Sequence, residues 1–208
     1  MSNGVDLPKG KVPQKEIDEI STIHNLPAGV PVFLFTGRMM WYKGIKIILD
    51  GLASLKSDGS LFRMIFVGGG ADYKEITEYT QTVGLSDECI FTGAVRDREK
   101  LRAYYSRADA FLFPSTFDTS GLVVREAAAC GLASIIIRGS SASEGITDGK
   151  NGILIEENPQ SLATALQDLL NKQDHLKEIG QNAMDELYLS WEDAVKRAYA
   201  RYCEIVDR

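Results

Sequence analysis

The feature that most limits what this chain can fold into is a repeated alternation. Short runs of β-branched and aromatic residues are each followed by a longer stretch whose apolar residues recur at helical spacing. Strands joined through helices pair in parallel, and a parallel sheet carries helices on both of its faces. Six runs have strand character: Val32–Thr36, Met64–Val67, Cys89–Phe91, Ala110–Phe113, Ser134–Ile137 and Gly152–Ile155. Between them, Ile45, Ile48, Leu49, Leu52 and Leu55 mark one face of a helix ending near Asp58-Gly59. Further helices are expected from Asp72 to about Val83, along the stripe Leu101, Tyr104, Tyr105 and Ala108, and from Ser120 or Gly121 to Gly131. Beyond the last strand the sequence is all helical. Leu162, Ala165, Leu166 and Leu169 define one helix there, and Trp191, Ala194, Val195, Ala198, Tyr202 and Ile205 a terminal one. The expectation is an α/β chain: a three-layer, Rossmann-like domain around a mainly parallel six-stranded sheet.

The first 30 residues, broken by Pro8, Pro13 and Pro27 and followed by Pro31, read as a lead-in with room for one short helix between Lys15 and His24. Residues 31–189 then form the main domain and 190–208 a separate terminal helix. With 208 residues, 44% of them hydrophobic, one sizeable core is the better prior than two small ones.

Charge narrows the partners. The 29 acidic residues outweigh 23 basic ones, so a surface that condenses onto nucleic acid or anionic lipid is disfavoured. The basic residues Arg96, Arg98, Lys100, Arg102 and Arg107 are interleaved with Asp97, Glu99 and Asp109, as on a solvated helix face. Cys89, Cys130 and Cys203 are odd in number and far apart, which suits buried thiols in a reducing compartment rather than disulfides or a metal clip. His24 and His175 have no partner at ligand spacing, and no Asp-x-Asp pair is present, so neither a metal nor a cofactor is expected. No apolar run approaches the roughly 20 residues that cross a bilayer, and a soluble, cytoplasmic chain is expected.

In an open α/β sheet, ligands bind beyond the carboxyl ends of the strands. Three loops stand there. After the first strand comes Gly37-Arg38-Met-Met-Trp-Tyr-Lys43-Gly44, whose guanidinium fork and mobile ammonium suit a diphosphate. After Phe113, the stretch Pro114 to Gly131 places Asp118, Thr119, Ser120 and Gly121 before a helix start, where unpaired N–H groups and the helix dipole attract anions. Glu126 falls one to two turns into that helix, beside Ala127, Ala128 and Ala129, which imply close packing on the sheet. Gly68-Gly69-Gly70 lacks the last glycine of a dinucleotide fingerprint, Tyr73 standing in its place, and reads as a tight turn. No P-loop pattern is present.

Taken in order, these segments resemble the C-terminal domain of family 4 glycosyltransferases, the large glycogen-synthase-like group with the two-Rossmann-domain (GT-B) fold. The resemblance rests on Ser2-Asn-Gly-Val-Asp6 at a hinge, Gly37-Arg38 with Lys43-Gly44, Phe91-Thr-Gly93 through Pro114-Ser115, the E-x7-E-like pair Asp118 and Glu126, and Trp191 opening the last helix. It implies the donor half of a retaining hexosyltransferase that uses a nucleotide diphosphate sugar, a UDP-sugar first. Arg38 and Lys43 would hold the diphosphate, and Glu126 the ribose hydroxyls. Backbone amides around Thr119, Ser120, Gly121 and Leu122 would meet the distal phosphate, with Val95 and Arg96 facing the base and Asp118 the sugar. Asp118 replaces the usual Glu, and Thr119-Ser120 the usual Gly-Phe, which reshapes the sugar pocket. Glu144 takes only a structural role. A saccharide or lipid acceptor would bind an N-terminal domain, through which the enzyme could lie on a membrane; without that domain, little or no turnover is expected. Two rivals predict different outcomes: an epimerase of the same architecture would convert a nucleotide sugar alone, and a non-catalytic binding module would bind none. A dehydrogenase is disfavoured by the missing glycine fingerprint.

Overall fold

In the computed structural model, which describes residues 3–118 and 121–206, six strands form one parallel sheet in the order β3-β2-β1-β4-β5-β6. The strands are β1 (Val32–Thr36), β2 (Arg63–Val67), β3 (Cys89–Gly93), β4 (Ala110–Phe113), β5 (Ser134–Ile137) and β6 (Ile153–Ile155). Helices are α1 (Gln14–Ile23), α2 (Ile45–Ser57), α3 (Tyr73–Thr82), α4 (Arg98–Arg107), α5 (Leu122–Ala129), α6 (Pro159–Leu170), α7 (Gln173–Glu186) and α8 (Trp191–Val206). The expected α/β sandwich is therefore present, with its strands in place to within a residue or two.

The central strands explain the pattern that announced them. Every residue of β1, β4 and β5 is buried, as a parallel strand covered on both faces must be, so each reads as an unbroken apolar run rather than an alternation. Phe33, Phe35, Phe66, Phe111 and Phe113 stack between the layers and join the inward faces of α2 and α5 in one core. The Pro-broken start of the chain holds α1, close to where room for a helix was expected, and Leu7, Val12 and Ile20 are buried in that same core.

One helix was not singled out from the sequence. Helix α7 buries Leu176, Ile179 and Ala183, a sparse stripe in an otherwise polar segment, and Gly180 lies where a Cβ would come within 2.2 Å of the Gly131 carbonyl oxygen. The close approach replaces the bulky residues that would have advertised the helix. The basic residues of α4 also depart from a uniformly solvated face. Arg102 is 9% exposed and turns inward, donating to the Gly10 carbonyl at 3.0 Å and to Glu99 at 2.8 Å. Cys89 and Cys130 are buried, and burial pushes their thiols up to about 12 and about 11, so both stay protonated packing groups.

Candidate functional site

Strands β1 and β4 are neighbours whose following connections leave toward opposite faces of the sheet, and that reversal opens a crevice at their carboxyl ends. Its rim is main chain. Gly44, in the left-handed region at φ 75°, starts α2 so close to the β4 loop that a Cβ there would sit 1.8 Å from the Pro114 carbonyl oxygen. A Cβ on Gly68, at φ 149°, would sit equally close to the Gly37 carbonyl oxygen, at 1.8 Å, and a Cβ on Gly70 would lie 2.4 Å from the Met39 carbonyl oxygen. The triple glycine is thus the seat on which the Gly37–Met39 loop rests, and the turn itself follows it at Ala71-Asp72.

On that rim one group of charges gathers. Lys43 closes a short 3-10 turn, and its side chain is only 12% exposed. Its Nζ donates to the Phe117 carbonyl at 2.8 Å and lies 3.4 Å from Asp118 Oδ1, over the ring of Phe113. Asp118 Oδ2 in turn accepts the Gly121 N–H at 3.0 Å, and Gly121, at φ 58°, is the cap of α5. An ammonium, a carboxylate and a helix N-terminus therefore meet within a few ångströms. Arg38 stands exposed on the same loop as Lys43 and makes no ion pair among the described residues. Thr119 and Ser120 lie outside the described residues. Glu144 shares a small depression with Gly121 and Arg125, and the Ala142 backbone approaches Gly121 there, so this loop buttresses the start of α5.

A second group sits one helical turn further along α5. Glu126 is partly buried, and its Oε2 accepts a 3.0 Å hydrogen bond from the hydroxyl of Tyr105, a fully buried residue of α4. The Tyr105 oxygen lies 2.5 Å from Oγ1 of Thr36, the last residue of β1. Burial pushes the Glu126 carboxyl above its ordinary range, while the Tyr105 hydrogen bond and the Arg98 charge oppose that shift. Burial and the neighbouring Glu126 charge also hold the Tyr105 phenol well above its usual value, so it remains a proton donor.

Glu126 opens into a cleft of about 390 Å³ lined also by Gly4, Asp6, Arg96, Arg98, Leu122 and Trp191. Arg98 is ion-paired with Asp6 across it. The two ends of the chain meet at its mouth: Val5 N–H donates to the Leu189 carbonyl at 2.9 Å, and a Cβ on Gly4 would lie 2.5 Å from the Trp191 Cα. Of the pair expected to face a base, Arg96 lines this cleft, whereas Val95 packs partly against the core. A depression of about 310 Å³ at the opposite edge, beside Pro31 and Asp109, touches none of the candidate residues.

The sequence reading did not single out Thr36, Tyr105 or the Asp6–Arg98 pair. One signal was available. A tyrosine in a buried helical stripe brings a hydroxyl that needs a partner, and here the partner is the site carboxylate.

Residues 16–186 match the family described as glycosyl transferases group 1. The chain belongs to this family. Among its relatives is D-inositol 3-phosphate glycosyltransferase 2 of Catenulispora acidiphila, 30% identical over 192 residues that cover 88% of this chain and 44% of the relative. Sucrose-phosphate synthase of Thermosynechococcus elongatus superposes with a TM-score of 0.82 at 26% identity, over 96% of this chain and 50% of that one. The Anabaena protein HepE, solved with UDP and glucose, superposes with a TM-score of 0.84 at 22% identity, over 97% of this chain and 55% of its own. The group 1 chain thus spans about half the length of the relatives it matches, and its fold is that of a GT-B glycosyltransferase half. Among the described residues no helix is long and apolar enough to cross a membrane.

Proposed function

We propose that this chain binds the donor of a retaining hexosyl transfer, a nucleotide diphosphate sugar with UDP as the first candidate base. The observation that carries the reading is the convergence of Lys43, Asp118 and the α5 N-terminus beside the Tyr105-bonded Glu126, at the point where strand order reverses. Arg38 and Lys43 hold the diphosphate and stabilise the negative charge that grows on it as the glycosidic bond breaks. The Gly121 and Leu122 amides, with those of Thr119 and Ser120, receive the distal phosphate. Glu126 takes the ribose hydroxyls, Val95 and Arg96 border the base, and Asp118 meets the sugar. The Asp118 carboxylate lies against both Lys43 and the Gly121 amide, so a diphosphate at this point takes the place of one anion. No metal or cofactor takes part.

The segment before α1 leads in from an N-terminal domain, and helix α8 packs back onto that domain. Helix α8 has no buried residue, and Val195, Tyr199 and Tyr202 are exposed along it. A saccharide or lipid acceptor binds that other domain, which supplies the orientation on which much of the rate depends, so this chain alone turns over little or nothing. Calorimetry with UDP, GDP and ADP tests the reading. At least one should bind saturably, and affinity should vanish in Arg38→Ala and in Lys43→Ala; unchanged affinity in both variants would remove the phosphate assignment.

A further inference from the structure

A carboxylate that receives a ribose must be held still. A glutamate on a short helix has three side-chain torsions, and fixing them at the moment of binding weakens binding. In this chain they are fixed beforehand, from behind. The phenol of Tyr105 is fully buried and has one proton. It spends that proton on Glu126 Oε2, so the 2.5 Å contact with Thr36 must be a bond in which Thr36 Oγ1 donates and the phenol oxygen accepts. Proton counting therefore gives the chain one direction: Thr36 to Tyr105 to Glu126. Among the described residues no group bonds Glu126 Oε1, and the carboxylate faces the cleft. A phenylalanine would fill the same space, since Phe111 already packs against this ring. What the hydroxyl adds is the link from the end of β1 to the carboxylate.

We propose that Tyr105, backed by Thr36, is a positioning residue that sets the Glu126 carboxylate for the vicinal diol of a ribose. The role rests on the reading of Glu126 as the ribose ligand and sharpens it: discrimination between ribose and 2′-deoxyribose originates in a buried tyrosine that touches neither.

The test is calorimetry of the 208-residue chain with UDP and 2′-deoxy-UDP, and with GDP and 2′-deoxy-GDP, on the wild type, Tyr105→Phe and Thr36→Val. The wild type should favour the ribonucleotide by about tenfold, the worth of one hydrogen bond to a charged group. In Tyr105→Phe that ratio should fall to about threefold or less as the carboxylate regains its rotamers, with the 2′-deoxy affinity, which keeps only the 3′-hydroxyl contact, falling less than the ribonucleotide affinity. A purely structural role would lower both affinities by the same factor and leave the ratio unchanged. If Tyr105→Phe does not fold, Thr36→Val carries the test, with a smaller fall of the same ratio. A full ratio in the folded variants overturns the positioning role and leaves Glu126 as the ribose ligand. A wild-type ratio of one, or no binding of either nucleotide, overturns both.

Discussion

Glu126 and Asp118 are the two ends of one acidic pair on either side of a helix start, yet they are held in opposite ways. Glu126 is bonded by a neutral donor, partly buried, and pushed toward its protonated form by desolvation. Asp118 is held by an ammonium and a backbone N–H that an incoming phosphate would also seek. The first end is built before the ligand arrives, and the second is built by exchange. On the proposed reading, the end assigned to the sugar should therefore tolerate a change of side-chain length, while the end assigned to the ribose should not.

The largest way to break this contrast is through the main chain. Gly44→Ala places a Cβ against Pro114 at a left-handed φ, and should lower the unfolding free energy by about 2–4 kcal/mol in urea titrations. Lys43→Ala comes next. It removes the cation at the exchanging end and should weaken UDP binding by at least about a hundredfold, consistent with losing one or two charge-assisted contacts. Retained affinity would move the phosphate site away from Lys43.

Glu126→Gln has two signs. Ribonucleotide affinity should fall about tenfold, while stability at neutral pH should rise. Because burial raises the folded pKa of Glu126, the folded chain holds this proton more tightly than the unfolded one does. Its contribution is greatest below the unfolded value of about 4.3 and is lost as pH climbs through the higher folded value. The stability gain of the Gln variant should thus be present at pH 7 and absent at pH 4, as thermal melts at the two pH values would record. The smallest effect is expected of Asp118→Asn: affinity for UDP should rise about threefold at low salt, because Lys43 loses a competing charge, and the gain should shrink in 0.5 M salt by screening. A loss of UDP affinity in this variant would show that Asp118 assists the phosphate.

Much of the fold was legible because its strands are buried on both faces. A run such as Ala110–Phe113 or Ser134–Ile137 can be little else, and the loops after such strands carry the ligand in this class of sheet. Helix α7 escaped because its packing relies on Gly180 rather than on large side chains. The candidate charged residues stood out for a related reason: Arg38 and Lys43 flank the turn after β1, and Glu126 lies in a helix of small residues, where packing alone asks for no charge. Tyr105 was read only as one member of an apolar stripe, since periodicity records which face a residue takes and not where its hydroxyl ends. The Asp6–Arg98 pair joins residues 92 positions apart, a separation no local pattern reveals.

The backbone-on-backbone contacts at Gly44, Gly68 and Gly70 bear on how the crevice keeps its shape. Because the crevice is shaped by carbonyl oxygens and missing Cβ atoms, its walls do not depend on the bulk of any one side chain on its rim. A rim built in this way separates the shape of the crevice from the chemistry of the side chains that line it.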